Sequence, residues 1–188
     1  MSILDIRVLG DPILRQAATP VAAVTDDVRR LVADMFDTMH HARGIGLAAP
    51  QVGRTERLAV VEVDDVRLVL INPAIVERAG RAKSEEGCLS IPDIYADVER
   101  PSRVTVQALD EQFAPFEMEA NELLARCIQH EIDHLDGKLF LDYLSVLKRT
   151  AALAKWKLEQ GKYPGCVRRV SLETPEELSE HEHPEEEL

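Results

Sequence analysis

One stretch constrains this chain more than any other: Leu123-Leu124-Ala125-Arg126-Cys127-Ile128-Gln129-His130-Glu131-Ile132-Asp133-His134-Leu135-Asp136-Gly137. Its apolar residues fall at Leu123, Leu124, Cys127, Ile128 and Leu135, a spacing that predicts a helix and that no strand satisfies. Gly137 is the expected stop, since glycine takes the left-handed conformation that closes a helix. His130 and His134 then lie four residues apart on one face, where two imidazoles can share one metal ion, and Glu131 beside them can handle protons on a bound water. The alternative is an ordinary amphipathic helix with these three residues on its wet side. Two features weigh against that: the histidines share the face of Leu123 and Cys127, which should point inward, and the His-Glu-x-x-His pattern is complete.

A helix carrying such a face must be enclosed, and the chain is long enough to enclose it. With 188 residues, 45% apolar and 30% charged, residues 1–170 read as one soluble domain with a real core. No apolar run approaches the length needed to cross a bilayer, and Met1 to Arg7 has no export signal, so no membrane association is expected. Three cysteines, an odd number in a chain of this size, suit the reduced thiols of the cytoplasm. The net charge of −12 is unevenly spread. Residues 143–170 hold seven Lys and Arg against one acid, Glu159, whereas residues 171–188 hold eight Glu and no Lys or Arg. That last segment has the composition of a flexible acidic tail.

Earlier in the chain, Asp11-Pro12 and Thr19-Pro20 punctuate an irregular N-terminal arm. Thr25 should cap a helix whose stripe is Val28, Leu31, Val32, Met35, Phe36 and Met39, all core positions. Gly44-Ile45-Gly46-Leu47-Ala48-Ala49-Pro50-Gln51 lets backbone pass close to something else, as a tight turn or as the wall of a cleft in which Gln51 presents its amide. It lacks the lysine and the preceding strand of a phosphate loop. Arg57–Asp64 and Val66–Ile71 predict a hairpin about Asp64-Asp65, ended by Asn72-Pro73, with a shorter strand over 74–78. Glu85 to Pro92 predicts a loop, and Ser102–Leu109 with Phe113–Met118 a second hairpin. Ser145 should cap a final helix running to Gln160. The fold class is therefore α+β, with antiparallel or mixed sheets packed around the central metal-binding helix and a C-terminal helix after it.

A catalytic metal site usually takes three protein ligands and keeps a fourth position open. Cys127 cannot join His130 and His134, because it lies about 10.5 Å from His134 along the helix axis at roughly 1.5 Å per residue. Cys166, after Pro164-Gly165, reads as a free thiol. Glu159, on a downstream helix, would suit a zinc endopeptidase, and Cys88, in a bend after Gly87, would suit a thiolate site. Spacing leaves both open.

Three segments in order, Gly44 to Gln51, Glu86-Gly87-Cys88-Leu89-Ser90 and Gln129 to His134, resemble the three signature motifs of the peptide deformylases, and the resemblance runs from about Val8 to about Leu147. It extends to Asp11-Pro12-Ile13-Leu14-Arg15 and Asp136-Gly137-Lys138-Leu139-Phe140, as in the bacterial type. It implies removal of formate from the formyl-methionine of new polypeptides. Cys88, His130 and His134 would be the ligands of one ferrous ion per chain, with zinc, nickel or cobalt as substitutes. It further implies that Glu131 acts as proton acceptor and donor, and that Gln51 and the Leu89 backbone N–H hold the oxyanion. Ile45, Gly46, Leu123 and Cys127 would line a methionine pocket. Arg126 departs from the aliphatic residue common in this family, and its guanidinium is expected to reach solvent. Tyr95 and Arg100 could meet the peptide backbone, although Arg100 fits better as an ion-pair partner of Glu86. The basic residues of 148–169 offer a surface for ribosomal RNA near the emerging chain, or an ordinary solvated helix face.

Overall fold

The computed structural model describes residues 2–170; the acidic segment 171–188, expected to be flexible, lies outside the described residues. In chain order the elements are β1 (Ile6–Arg7), α1 (Asp26–His41), β2 (Gly46–Ala48), β3 (Leu58–Val63), β4 (Val66–Ala79), β5 (Ala82–Cys88), β6 (Ile91–Arg100), β7 (Arg103–Leu109), β8 (Pro115–Asn121), α2 (Glu122–Leu135), α3 (Val146–Glu159) and β9 (Val167–Arg168). Short 3₁₀ turns at Pro12–Arg15, Ala49–Val52, Phe140–Tyr143, Gln160–Lys162 and Pro164–Cys166 link them. Among the described residues no helix is long and apolar enough to cross a membrane.

The main sheet has five strands in the order β2-β3-β4-β7-β8, paired antiparallel throughout. Helix α2 packs on one face of it, and α1 covers β2 and β3 on the other. Ala125, Cys127, Ile128, Ile132 and Leu135 of α2 meet Ala59, Val61, Val63, Leu70, Val104 and Val106 of the sheet. Val28, Leu31, Val32, Met35, Phe36 and Met39 of α1 pack on Leu47, Leu58, Val60 and Ile71. Alternate residues of β3 thus serve the two layers, Ala59 and Val61 against α2, Leu58 and Val60 against α1, as the period of two requires. Met35 and Met39 are fully buried, each contributing about 1.5–3 kcal/mol of burial. The Thr25 hydroxyl accepts from Val28 N at 3.3 Å and caps α1, with Asp26 and Asp27 in the first turn. Helix α2 buries nine residues, which makes it an interior element rather than a surface helix. Gly137 takes φ +71° just beyond it.

Two small sheets stand apart. Strands β5 and β6 pair only with each other, and β1 pairs with β9, so the two ends of the described chain meet. Several sequence expectations change here. Asn72-Pro73 does not end a strand. Strand β4 runs through it with a register shift between Ile71 and Ala74, and Asn72 at φ +51° secures the bulge by bonding Val21 N and O. The segment predicted as a loop, Glu85 to Pro92, is the closed end of the β5–β6 hairpin, so Cys88 ends a strand. Ser145 caps α3 as expected, its Oγ accepting from Lys148 N at 3.4 Å.

Candidate active site

The inward face of α2 meets the closed end of the β5–β6 hairpin, and there the ligating atoms of Cys88, His130 and His134 all lie within 4.8 Å of one another. Cys88 Sγ is 3.2 Å from His134 Nε2. Glu159, the alternative third ligand, is paired with Lys162 on the C-terminal segment and is not part of the cluster. The helical spacing brings the imidazoles together edge to face, with ring centroids 4.9 Å apart. A soft thiolate and two imidazoles held this closely form a donor set for one divalent ion. Two buried polar atoms beside them, Glu131 Oε2 and His134 Nδ1, have no hydrogen-bond partner among the described residues. An unpaired carboxylate oxygen in an apolar wall is costly unless something polar meets it, so the residues present fit a metal with a polar reactant at its side.

Around the cluster runs a network of charge. Glu86 receives Arg100 Nε at 2.5 Å and Nη2 at 3.0 Å, Arg126 Nη1 at 2.5 Å, and faces His130 Nδ1 at 3.2 Å. Arg100 also donates to Asp133 at 2.7 Å, and Asp133 accepts from Tyr143 Oη at 2.8 Å. Burial works against the Glu86 charge, but the hydrogen bonds from His130 and Arg100 and their charges outweigh it, holding the carboxyl at about 2. The contact commits His130 Nδ1 to the carboxylate, orienting the ring so that Nε2 can serve as a metal ligand. Glu131 is the opposite case. Burial pushes its carboxyl up to about 7, against the lowering effect of His130 and Arg100. Burial likewise raises the Cys127 thiol well above its ordinary value, as a small apolar residue requires.

The cluster opens into a cavity of about 630 Å³. Ile45, Gly46, Gln51, Leu89, Leu123 and Cys127, all singled out from the sequence, line it together with Cys88, His130 and Glu131. Gln51 is almost completely buried; its Oε1 accepts from Ala48 N at 2.8 Å, while Nε2 donates to Ser90 Oγ at 3.2 Å and lies 3.6 Å from Cys88 Sγ. Gly46 leaves no room for a side chain: a Cβ there would lie 2.3 Å from Glu131 Oε1.

Two expectations are revised and a third holds. Leu123 does not point inward like Cys127; it is 50% exposed and sits on the cavity rim. Arg126 turns its guanidinium into the protein, where Glu86 and two carbonyls hold it, rather than into solvent. Arg100 is fully engaged with Glu86 and Asp133 and stacks over Tyr143 at 4.6 Å, so it is an ion-pair partner as expected, not a peptide contact. Tyr95 does line the cavity. Sequence reasoning did not find Ser90 behind Gln51, Asp133 and Tyr143 behind Arg100, or Tyr163 and Arg168, which reach the cavity from the C-terminal segment. Asp133 had a signal, since it lies three residues after His130 on the helix; the others had none.

A profile of the polypeptide deformylase family matches residues 3–150. The peptide deformylase of Alkalilimnicola ehrlichii is 58% identical over 153 residues, covering 79% of this chain and 86% of that protein. That of Hydrogenovibrio crunogenus is 52% identical, with 86% and 98% covered. Among solved structures, a peptide deformylase from Legionella pneumophila superposes with a TM-score of 0.80 at 47% identity, covering 87% of this chain and all of the other. One from Ehrlichia chaffeensis, in complex with actinonin, gives 0.82 at 41%, with 85% and 99% covered.

Proposed function

The chain belongs to the polypeptide deformylase family and removes the N-formyl group from nascent polypeptides, and from this premise we propose that Cys88, His130 and His134 hold its metal ion. The observation that carries the proposal is the convergence of those three donors, from a hairpin and a helix 42 residues apart at their nearest members, to within 4.8 Å. Ferrous iron is the proposed resident, one per chain, with zinc, nickel or cobalt able to take the same donors. Such an ion, when bound, supplies a Lewis acid that polarises the formyl carbonyl and brings the pKa of water toward neutrality.

The protein residues do the rest. Glu131 takes the proton of the attacking water and delivers it to the amine of methionine as formate departs. This role is supported by the burial of its carboxylate near His130 and against the wall of Gly46. The Gln51 amide and the Leu89 backbone N–H hold the oxyanion; Ala48 N, by bonding Gln51 Oε1, turns the amide nitrogen toward the cluster. Ile45, Gly46, Leu123 and Cys127 receive the methionine side chain, with Leu123 at the rim. Residues 1–170 act as one catalytic domain in the cytoplasm. The basic residues between 148 and 169 provide attraction to ribosomal RNA, supported by the exposure of Lys148, Arg149, Lys155 and Lys157 along α3.

Formate release from formyl-Met-Ala-Ser, by protein prepared anaerobically with ferrous iron, tests the assignment beside Glu131→Gln and Cys88→Ala. Glu131→Gln should keep the metal and lose about 10²–10⁴-fold in rate, whereas Cys88→Ala should lose metal and activity together. A Cys88→Ala protein that binds metal and turns over like the parent would refute the ligand set.

A further inference from the structure

Helix α2 and the β5–β6 hairpin share no backbone ladder, since the hairpin is a sheet of its own. A two-stranded hairpin has marginal stability by itself; Ile91, Ile94 and Val98 pack it on Leu139, Phe140, Leu141 and Trp156, and the position of Cys88 against His130 and His134 depends as well on side chains that cross to α2. Apart from the contact of His134 with Cys88 itself, three side chains of α2 make such crossings by hydrogen bond to the hairpin. Asp133 takes Arg100, on β6. His130 Nδ1 meets Glu86, on β5. Arg126 does more: Nη1 donates to Glu86 Oε1 at 2.5 Å and to Val98 O at 3.0 Å, and Nη2 donates to Ala82 O at 2.8 Å. Of the three it alone grips both strands, Ala82 and Glu86 on β5 and Val98 on β6. Its side chain is only 11% exposed, so the bonds to Glu86 and Val98 compete little with water, while the one to Ala82 lies at the surface.

We propose that Arg126 is a positioning residue of the metal centre, fixing the Cys88 strand on the helix that carries the two histidines. The inference rests on the ligand assignment above. A planar fork with several donors in fixed directions is needed to reach a carboxylate and two carbonyls at once; a lysine keeps the charge beside Glu86 but cannot reproduce that pattern. Arg126 also stands in the wall of the cavity, so it ties the ligand strand to the substrate site as well as to the helix.

Cobalt(II) titration of the anaerobically purified, metal-free chain reads the proposal directly, because thiolate coordination gives a charge-transfer absorption that is independent of turnover. The parent should show this band and Cys88→Ala should lack it. Arg126→Met should bind cobalt about 10- to 100-fold more weakly, the usual effect of removing a partner that orients a ligand, with Arg126→Lys in between. Melting curves of the metal-free proteins establish that each variant is folded. Parental cobalt affinity and band in Arg126→Met would overturn the proposal; if that variant does not fold, parental affinity in Arg126→Lys would do so. A parent without the thiolate band, or a Cys88→Ala protein that keeps it, would overturn the ligand assignment itself and this inference with it.

Discussion

Gly46→Ala should cripple catalysis while leaving the fold and the metal ligands in place. A Cβ at this position would meet Glu131 Oε1 at 2.3 Å, Cys127 Sγ at 2.7 Å and Glu131 Cδ at 2.9 Å. Contacts of this kind settle near 3.5 Å, so the carboxylate must retreat by roughly 1 Å. The backbone of β2 cannot retreat instead, because Gly46, Leu47 and Ala48 are paired with Val61, Val60 and Ala59 of β3 and packed between both helices. Overpacking of this size costs about 1–3 kcal/mol of stability, whereas misplacing a catalytic group by about 1 Å can cost ~10²-fold in rate. The control is Gly44→Ala, whose Cβ would meet Leu89 Cδ1 at 2.7 Å. That atom is the tip of a side chain that can turn away, so kcat should change little. Steady-state formate release from formyl-Met-Ala-Ser, with metal content and melting temperature for each variant, separates the outcomes. A folded, metal-loaded Gly46→Ala protein with the kcat of the parent would refute the placement of Glu131 as the proton-transferring group.

Asp142 gives a prediction in pH. Burial would raise its carboxyl, but the hydrogen bond from Arg15 at 2.6 Å, the Leu139 N–H and the charges of Arg15 and Arg149 lower it below 3.8. A carboxylate lowered on folding contributes stability above its unfolded value of roughly 3.9 and loses it as pH falls through the folded one. Urea unfolding should therefore find Asp142→Asn less stable than the parent at pH 7 and nearly equal to it near pH 2; a constant difference across that range would contradict the linkage. Reversing Lys148, Lys155 and Lys157 to Glu should weaken ribosome co-sedimentation at low salt and flatten its salt dependence, since fewer cations at the phosphates displace fewer counterions. Hydrolysis of a free formyl-Met peptide should stay intact. Unchanged co-sedimentation would remove the ribosome reading.

What is legible in the sequence is local. The stripe from Val28 to Met39, the hairpin about Asp64-Asp65 and the helix of His130 and His134 each declare their period within a dozen residues and form where read, although the second strand of the hairpin runs on to Ala79. The β5–β6 hairpin is not legible. Ile91, Ile94 and Val98 are its buried aliphatic residues, but Pro92 and Asp93, the latter at φ +61°, interrupt the alternation where it would have shown. The β1–β9 pair joins two-residue strands at opposite ends of the described chain and has no local signal. The direction of Arg126 escapes the sequence for a related reason: its principal partner, Glu86, is 40 residues away. Long flexible side chains follow such partners, whereas the placement of Cys127 follows from helical period alone.

The separation of the hairpin from the main sheet has a chemical consequence. The five-stranded sheet packs on Ala125, Cys127, Ile128 and Ile132 of α2, whereas Cys88 reaches His130 and His134 from the closed end of a hairpin that is a sheet of its own. That third donor therefore comes from a strand outside the main sheet, laid against the helix. A hairpin so placed brings Glu86 and Arg100 with it, and both are buried, together with Asp133 of α2. Removing one partner from a buried set of this kind costs about 3–5 kcal/mol, so the network binds hairpin to helix as a unit rather than through additive contacts. The same carboxylate that anchors the hairpin also orients His130. Ligand geometry and hairpin docking are thereby one structural problem, and Glu86 is the residue at which both are solved.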